Sequence, residues 1–336
     1  MVLGVFVGIF AYCLIVLRTI RGGDEGAFVP DVAVLFAVVL AFVGIAVLIF
    51  FIHHIGTSIQ ASHIVAVVAT DTLAAVDRLF PDALGASVEN RDKHDSARQR
   101  TAGAAVPSLR TGFIQNVSLE TLHEFARARG AIVSMDHGVG EFVVEGAPLA
   151  TLCAPGEVDD EAVRRINDAY SIGRQRTVEQ DAAYGIRQLV DVALKGLSPG
   201  VNDVTTATLC VDYLTAILAR LAKRRLDTSM PAGDGSERWV VANRPSYADF
   251  VAAAFDQIRQ NTDGSVAMLR HLLRSLRTLS DVTNATSRRL VLLQQVDAVT
   301  EVIERTVESV PERAALAAEA RRVWAALQHE GSSGAT

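Results

Sequence analysis

The residues with the most chemistry to offer lie between positions 174 and 205. Arg174, Arg176, Thr177, Gln180, Asp181, Tyr184, Arg187 and Asp191 form one run. Ser198, Asn202, Asp203 and Thr205 follow it across a Gly-Leu-Ser-Pro-Gly break. Thr177, Gln180, Asp181, Tyr184, Gln188 and Asp191 recur at three-to-four spacing, which puts them on one face of a helix. Such a stripe is ordinarily a solvated face. This one has few long charged tails, and its Thr, Gln, Tyr and Asp content suits a buried polar network or a protein interface. The chemistry it could do is to bind an ion or a polar group. Bond-breaking motifs are missing: there is no G-x-S-x-G, H-E-x-x-H, Walker A or dinucleotide fingerprint. No enzyme activity, catalytic residue, metal site or cofactor is expected.

The break "GLSPGVND" has a structural explanation and a functional one. Gly196 is expected to end a helix, since glycine is favoured just past a helix C-terminus. Ser198-Pro199-Gly200 then makes a turn. Asn202 or Asp203 caps the following helix by accepting from its first free N–H groups. The functional alternative has Asn202, Asp203 and Thr205 facing the polar stripe around a bound ion or polar group. On that reading Gln180, Asp181, Asp191, Asn202 and Asp203 form one network that positions the turn.

The elements holding these residues begin with a membrane anchor. Half of the 336 residues are hydrophobic, and the excess is concentrated in residues 1–60. An uncharged run from Val32 to Ile52 is long enough to cross a bilayer as a helix, which takes about 20 apolar residues. Val2 to Leu17 is nearly as apolar. It lacks a basic n-region and a cleavage site, so a first span is preferred to a signal peptide. The expected domains are a transmembrane hairpin at 1–60, with spans about 2–19 and 31–53, then a connecting helix and linker at 61–105. A small β module at 106–155 and a helical domain at 156–330 follow.

Gly4 and Gly8 make a G-x-x-x-G pair, and Ala33, Ala37 and Ala41 repeat every four residues; both suit close helix packing or oligomerisation. His53 and His54 close the second span. Adjacent helical residues point about 100° apart, which argues against a shared metal ion and leaves interfacial histidines or a pH-sensitive gate. The linking loop balances Arg18 and Arg21 against Asp24 and Glu25, so orientation rests on the many Arg and Lys from Arg78 onward. They place that region, and the N-terminus, in the cytoplasm.

Beyond the anchor, Ile64, Val67, Val68 and Leu73 mark an amphipathic helix that Pro81 stops. Residues 82–105 are polar and aperiodic. Phe113 to Val117 alternates as a strand, and Ser118 caps a short helix carrying Leu122, Phe125 and Ala126. "AIVSM" and "EFVVEGAPLATL" read as strands bounded by glycine turns. This second half resembles a barrel-sandwich hybrid, the fold of lipoyl and biotinyl carriers. Its tip, "DHGVG", has no lysine to modify, so the carrier role does not follow. From Val158 the chain is helical: Asp159 or Asp160 caps one helix, Ser246 another, Pro311 starts the last, and Trp239 anchors a loop over 227–245. The class is an α-helical membrane protein with a mostly α cytoplasmic region and a small β module.

The run "GRQRTVEQDAAYGIRQLVDVALKGLSPGVNDVTTATLCVDYL" resembles the signature of a bacterial predicted membrane protein family, domain of unknown function 2254. "FVPDVAVLFAVVLAFVGIAVLIFFIHHIGTSIQ" is similar to that family's last span and its exit. "GFIQNVSLETL", "GEFVVEGAPLA" and "PSYADFVAAAFDQIRQ" match its β segment and next helix. The resemblance implies an earlier pair of spans; either Met1 sits at the membrane surface or the true start lies upstream of it. It implies no activity.

Charge and cysteines narrow the partners. The formal net charge is −6 and no long basic run appears, which excludes nucleic acid. Cys13, Cys153 and Cys210 are widely spaced, as in a reduced compartment. The expected protein is a multi-pass inner-membrane protein with its C-terminal region in the cytoplasm. It would act as a membrane-anchored binding, scaffold or regulatory protein, with the bilayer, copies of itself and an unidentified cytoplasmic partner or ion as partners. The alternative is an oligomeric ion channel or transporter gated by the cytoplasmic domain. The absence of Asp, Glu, Lys and Arg from the lipid core counts against proton coupling. It leaves room for a pore closed by dewetting.

Overall fold

The computed structural model describes residues 2–19, 31–58, 61–80, 103–154, 158–226 and 239–329. The chain divides into two compact units, Met1–Ile64 and Val65–Thr336. The linking loop and most of the linker after Pro81 lie outside the described residues.

The first unit is a helical hairpin of α1 (Val2–Thr19) and α2 (Asp31–Ser58). Apolar residues surround both helices, as expected of helices that satisfy their backbones internally in lipid. Phe10, Leu14, Val32, Phe42 and Ile49 all point outward. The hairpin closes with Ile9 beside Gly44, Tyr12 beside Ala33, and Val16 buried. A side chain at Gly44 would come within 3.1 Å of Ile9 Cδ1, so the glycine sets how near the helices approach. The Tyr12 hydroxyl donates to the Ala33 carbonyl at 3.3 Å, and its ring meets Phe36 edge-on at 5.4 Å. Gly4 and Gly8 have open space beside them, and Ala41 is exposed. Of the small residues singled out in the sequence, Ala33 meets the other helix and Ala37 is half-buried. Helix α2 runs on through His53 and His54.

The second unit contains a helical bundle and a β module. The bundle packs α3 (Ala61–Leu79) with α6 (Ala182–Leu197), α7 (Val204–Leu221), α8 (Tyr247–Gln260), α9 (Val266–Val282), α10 (Thr286–Thr306) and α11 (Val310–His329). Their apolar stripes share one core, from Val65 and Val76 through Ile186, Leu189, Leu214 and Phe250 to Leu327. Helix α7 has the length and hydropathy of a membrane span. Yet Cys210, Leu214, Ile217 and Leu218 are fully buried in this core, so it is an internal helix. Gly185 brings α6 against α3: an added Cβ would collide with the Thr72 hydroxyl.

Two buried arginines cap helix ends, whose last carbonyls have no partner within the helix. Arg288 donates to the carbonyls of Leu221, Ala222 and Arg224, at 2.7–3.1 Å. Arg289 donates to Thr283, Ala326 and Leu327.

The β module has β1 (Ala104–Pro107), β2 (Gly112–Val117), β3 (Ile132–Met135), β4 (Phe142–Val143) and β5 (Pro148–Cys153). Helix α4 (Leu119–Arg129) stands between β2 and β3. Ser118 caps it as expected, accepting from the Thr121 N–H. The module draws on more chain than 106–155. Helix α5 (Asp160–Asp168), capped by Asp159, packs Ala162 and Ile166 into its core. Strand β6 (Tyr170–Gly173) pairs with β2, and β7 (Val240–Val241) pairs in parallel with β3. The result is a four-stranded sheet, β1-β5-β3-β7, and a three-stranded sheet, β4-β2-β6. The barrel-sandwich expectation therefore holds only as far as two small sheets sharing one core. The intervening helix and the parallel edge strand depart from it. Trp239 packs against this core, as its anchoring role required.

Candidate functional site

Where the β module meets the bundle there is a cavity of about 100 Å³. Leu79, Phe80 and Phe250 line it from the bundle, and Met135 and Val139 from the β module. Its polar wall consists of Asn116, Gln180, Asp181, Asn243 and Arg244.

Asp181 is set in place by the local chain. After β6, a 3-10 turn (Val178–Gln180) ends at Asp181, which caps α6 by accepting from the Tyr184 N–H at 3.0 Å. Its other oxygen takes two bonds from Arg176, from Nε at 2.9 Å and Nη2 at 2.6 Å. The guanidinium lies over the Tyr184 ring, 5.0 Å from its centroid. Asp181 is 5% exposed. Burial pushes its carboxyl above the usual carboxylate range, against the opposing pull of Arg176.

Over this pair sits the tip of the β3–β4 turn. Gly140 has φ +89, and a side chain there would strike Asp181 Oδ2 and lie 2.7 Å from Arg176 Nη2. Only glycine fits both the backbone and the approach. Asn243 latches the same tip, its Nδ2 donating to the Asp136 carbonyl at 3.2 Å and to Glu141 Oε1 at 3.1 Å. Glu141 also meets His137 Nδ1 at 2.8 Å. The "DHGVG" tip is thus one wall of a cavity.

Arg244 differs from the other arginines near the cleft. It makes no hydrogen bond or ion pair among the described residues, and burial alone lowers its pKa. Arg244 is half-buried at the cavity wall, so its charge is partly desolvated without a counter-charge among the described residues.

The residues singled out in the sequence separate into three places. Gln180 and Asp181 line the cavity, with Arg176 and Tyr184 behind Asp181 as its partners. Arg187 and Asp191 form an exposed pair at 2.8 Å further along α6, with Arg187 also donating to Gln257. Ser198, Asn202, Asp203 and Thr205 lie past the far end of α6, a 16-residue helix about 24 Å long. Arg174 is exposed, and Thr177 precedes the 3-10 turn without a side-chain cap bond. The single network proposed for Gln180, Asp181, Asp191, Asn202 and Asp203 is therefore not formed. The polar stripe fails because helix α6 begins only at Ala182, so Thr177 and Gln180 are out of its phase.

The turn after α6 follows the structural explanation, with one correction. Gly196 lies inside the helix, which ends at Leu197 with Ser198 as its cap. Its value is closeness: an added Cβ would sit 2.9 Å from the Asp203 carbonyl, and the Asp203 N–H donates to the Gly196 carbonyl at 2.7 Å. Asn202 takes the left-handed backbone, φ 48. Asp203 caps α7, accepting from the Thr206 N–H and hydroxyl, which hold its carboxyl below the usual range.

Sequence reasoning missed Asn243, Arg244 and Gly140. The available signal was "NRPS", an arginine between the strand at Val240–Val241 and the cap Ser246. Among the described residues, no group of three or more His, Cys, Asp or Glu could hold a metal ion.

An apolar hairpin suited to lipid, followed by a folded unit with an internal polar cleft, marks a membrane protein. The chain belongs to the predicted membrane protein family DUF2254, whose profile matches residues 1–278. It is 32% identical over 338 residues to uncharacterized proteins of Mycobacterium tuberculosis and Mycobacterium bovis. The match covers 98% of this chain and 64% of each relative, so the chain spans under two thirds of their length. No solved structure matches it.

Proposed function

We propose that the protein is a membrane-anchored binding protein of the bacterial inner membrane, with its second unit on the cytoplasmic side. That unit takes a small ligand in the cleft between β module and bundle and relays its presence as a regulatory or scaffold signal. The observation that carries this reading is the preformed polar wall. Asn116, Gln180, Asp181, Asn243 and Arg244 face apolar side chains across one cavity, and Asp181 is held from behind by Arg176 and the Tyr184 N–H, the usual make-up of a small-molecule site. The cytoplasmic placement is supported by the Arg and Lys content after the second span.

The test is a thermal-shift screen of the detergent-solubilised chain against a metabolite library, with Ala183→Trp as a variant that fills the cleft. Binding predicts compounds that raise Tm by a few degrees in the wild type and not in the filled variant. A library without such compounds counts against it.

A second reading, an oligomeric channel gated by the second unit, has one observation in its favour. The Gly4–Gly8 face stays open in the hairpin, with room for a helix of another copy. Ion flux in proteoliposomes that disappears on substitution in α2 would favour it over the binding protein.

A further inference from the structure

We propose that the cleft recognises a small organic monocarboxylate, with Arg244 binding the carboxylate and the apolar walls taking its hydrocarbon part. This inference rests on the binding-protein reading and names the ligand class.

The charge balance at the cavity supports it. Asp181 and Arg176 neutralise each other through two hydrogen bonds. That leaves Arg244 as the uncompensated charge among the described residues of the polar wall. The planar guanidinium matches a carboxylate with two parallel N–H donors. Gln180 also makes no side-chain hydrogen bond among the described residues, so its amide is free to donate. Ala182 and Ala183, in the first turn of α6, line the cavity as well. One unpaired positive charge calls for one negative charge. A dianionic phosphate would bring a second charge with no second free cation among the described lining residues to meet it.

Size and wall chemistry set the remainder of the ligand. About 100 Å³ on this scale gives room for roughly seven to ten water-sized groups, since one water takes about 10–15 Å³. Leu79, Phe80, Met135, Val139, Pro245 and Phe250 offer it hydrocarbon. A carboxylate carrying three to six carbons meets both requirements.

The experiment is calorimetric titration of the full chain in detergent at pH 7 with butyrate, hexanoate, benzoate, hexanamide and inorganic phosphate. It is repeated on Arg244→Gln and Arg244→Lys, with Tm measured on each. The expected result is saturable binding of at least one carboxylate and at least tenfold weaker binding of hexanamide. Arg244→Gln should lose at least tenfold, and Arg244→Lys should lose less. Arg244→Gln should also melt no lower than the wild type without ligand, because it removes an unpaired, half-buried charge. Equal affinity for hexanoate and hexanamide overturns the proposal, as does carboxylate binding that survives Arg244→Gln. Tighter binding of phosphate overturns the carboxylate assignment. No binding of any carboxylate overturns the ligand class, and the binding-protein reading then stands or falls on its own library screen. A marked fall in Tm for Arg244→Gln assigns Arg244 a structural role and overturns the proposal too.

Discussion

Asp181 is a carboxylate held in a dry place by one arginine and one helix end. Burial raises its folded pKa above the unfolded value of 3.8. Its contribution to stability is therefore fully present below that value and is lost as pH rises through the folded pKa. Asp181→Asn keeps an oxygen for the Tyr184 N–H and does not ionise. The wild-type Tm should fall relative to this variant as pH is raised from about 4 to about 7, which thermal denaturation across that range would show. Equal slopes for the two proteins would mean that Arg176 fully offsets the burial. Gly140→Ala should cost at least about 1–2 kcal/mol, the penalty for a left-handed backbone with a side chain. The added methyl also displaces the Arg176–Asp181 pair, and denaturant unfolding measures the sum. Asp181 and Gln180 were legible as site residues because polar types stood where an ordinary surface would carry Lys and Glu. Arg244 was not legible. Its isolation is produced by the docking of β7 beside β3, which no local pattern announces.

The helix caps show where sequence reasoning has purchase. Ser118, Asp159, Asp203 and Ser246 all cap as their types and positions suggest, because a cap needs only its own side chain and the next three N–H groups. Ser246 also forms the reciprocal bond with Asp249. Ser246→Ala should cost about 1–2 kcal/mol, read from chemical denaturation. Helix phase was harder. The 3-10 turn before Ala182 shifts every residue ahead of it off the helical face, so a stripe that looked continuous is broken at Asp181. The consequence is measurable: Asp181→Ala and Asp203→Ala sit at opposite ends of α6 and share no partner, so their Tm losses should add. A double variant much more or much less stable than the sum would restore the coupled network.

At the scale of the molecule, the hairpin and the bundle core were both visible in hydrophobic spacing. The sheet order was not, because β6 and β7 pair with strands far away in sequence. Within the hairpin, small residues have two different fates. Gly44→Leu should force α1 and α2 apart, seen as faster proteolysis of the detergent-solubilised chain. Gly8→Leu should leave the hairpin unchanged, since nothing in it lies near that face. If Gly8→Leu lowers the particle mass in light scattering, the open face is where copies meet.

The parallel pairing of β7 with β3 also sets a timetable for synthesis. Asp136 and Asn243, which join the turn to its latch, are 107 residues apart. At roughly 5–20 residues per second, the second partner leaves the ribosome roughly 5–20 s after the first. Throughout that interval β3 has an unpaired edge, a template for another chain. The cleft cannot be completed until most of the bundle's first helices have emerged, so the nascent chain carries an exposed strand and an unfinished pocket together. Chains arrested between Met135 and Val240 should be the ones that chaperones hold and that aggregate most readily.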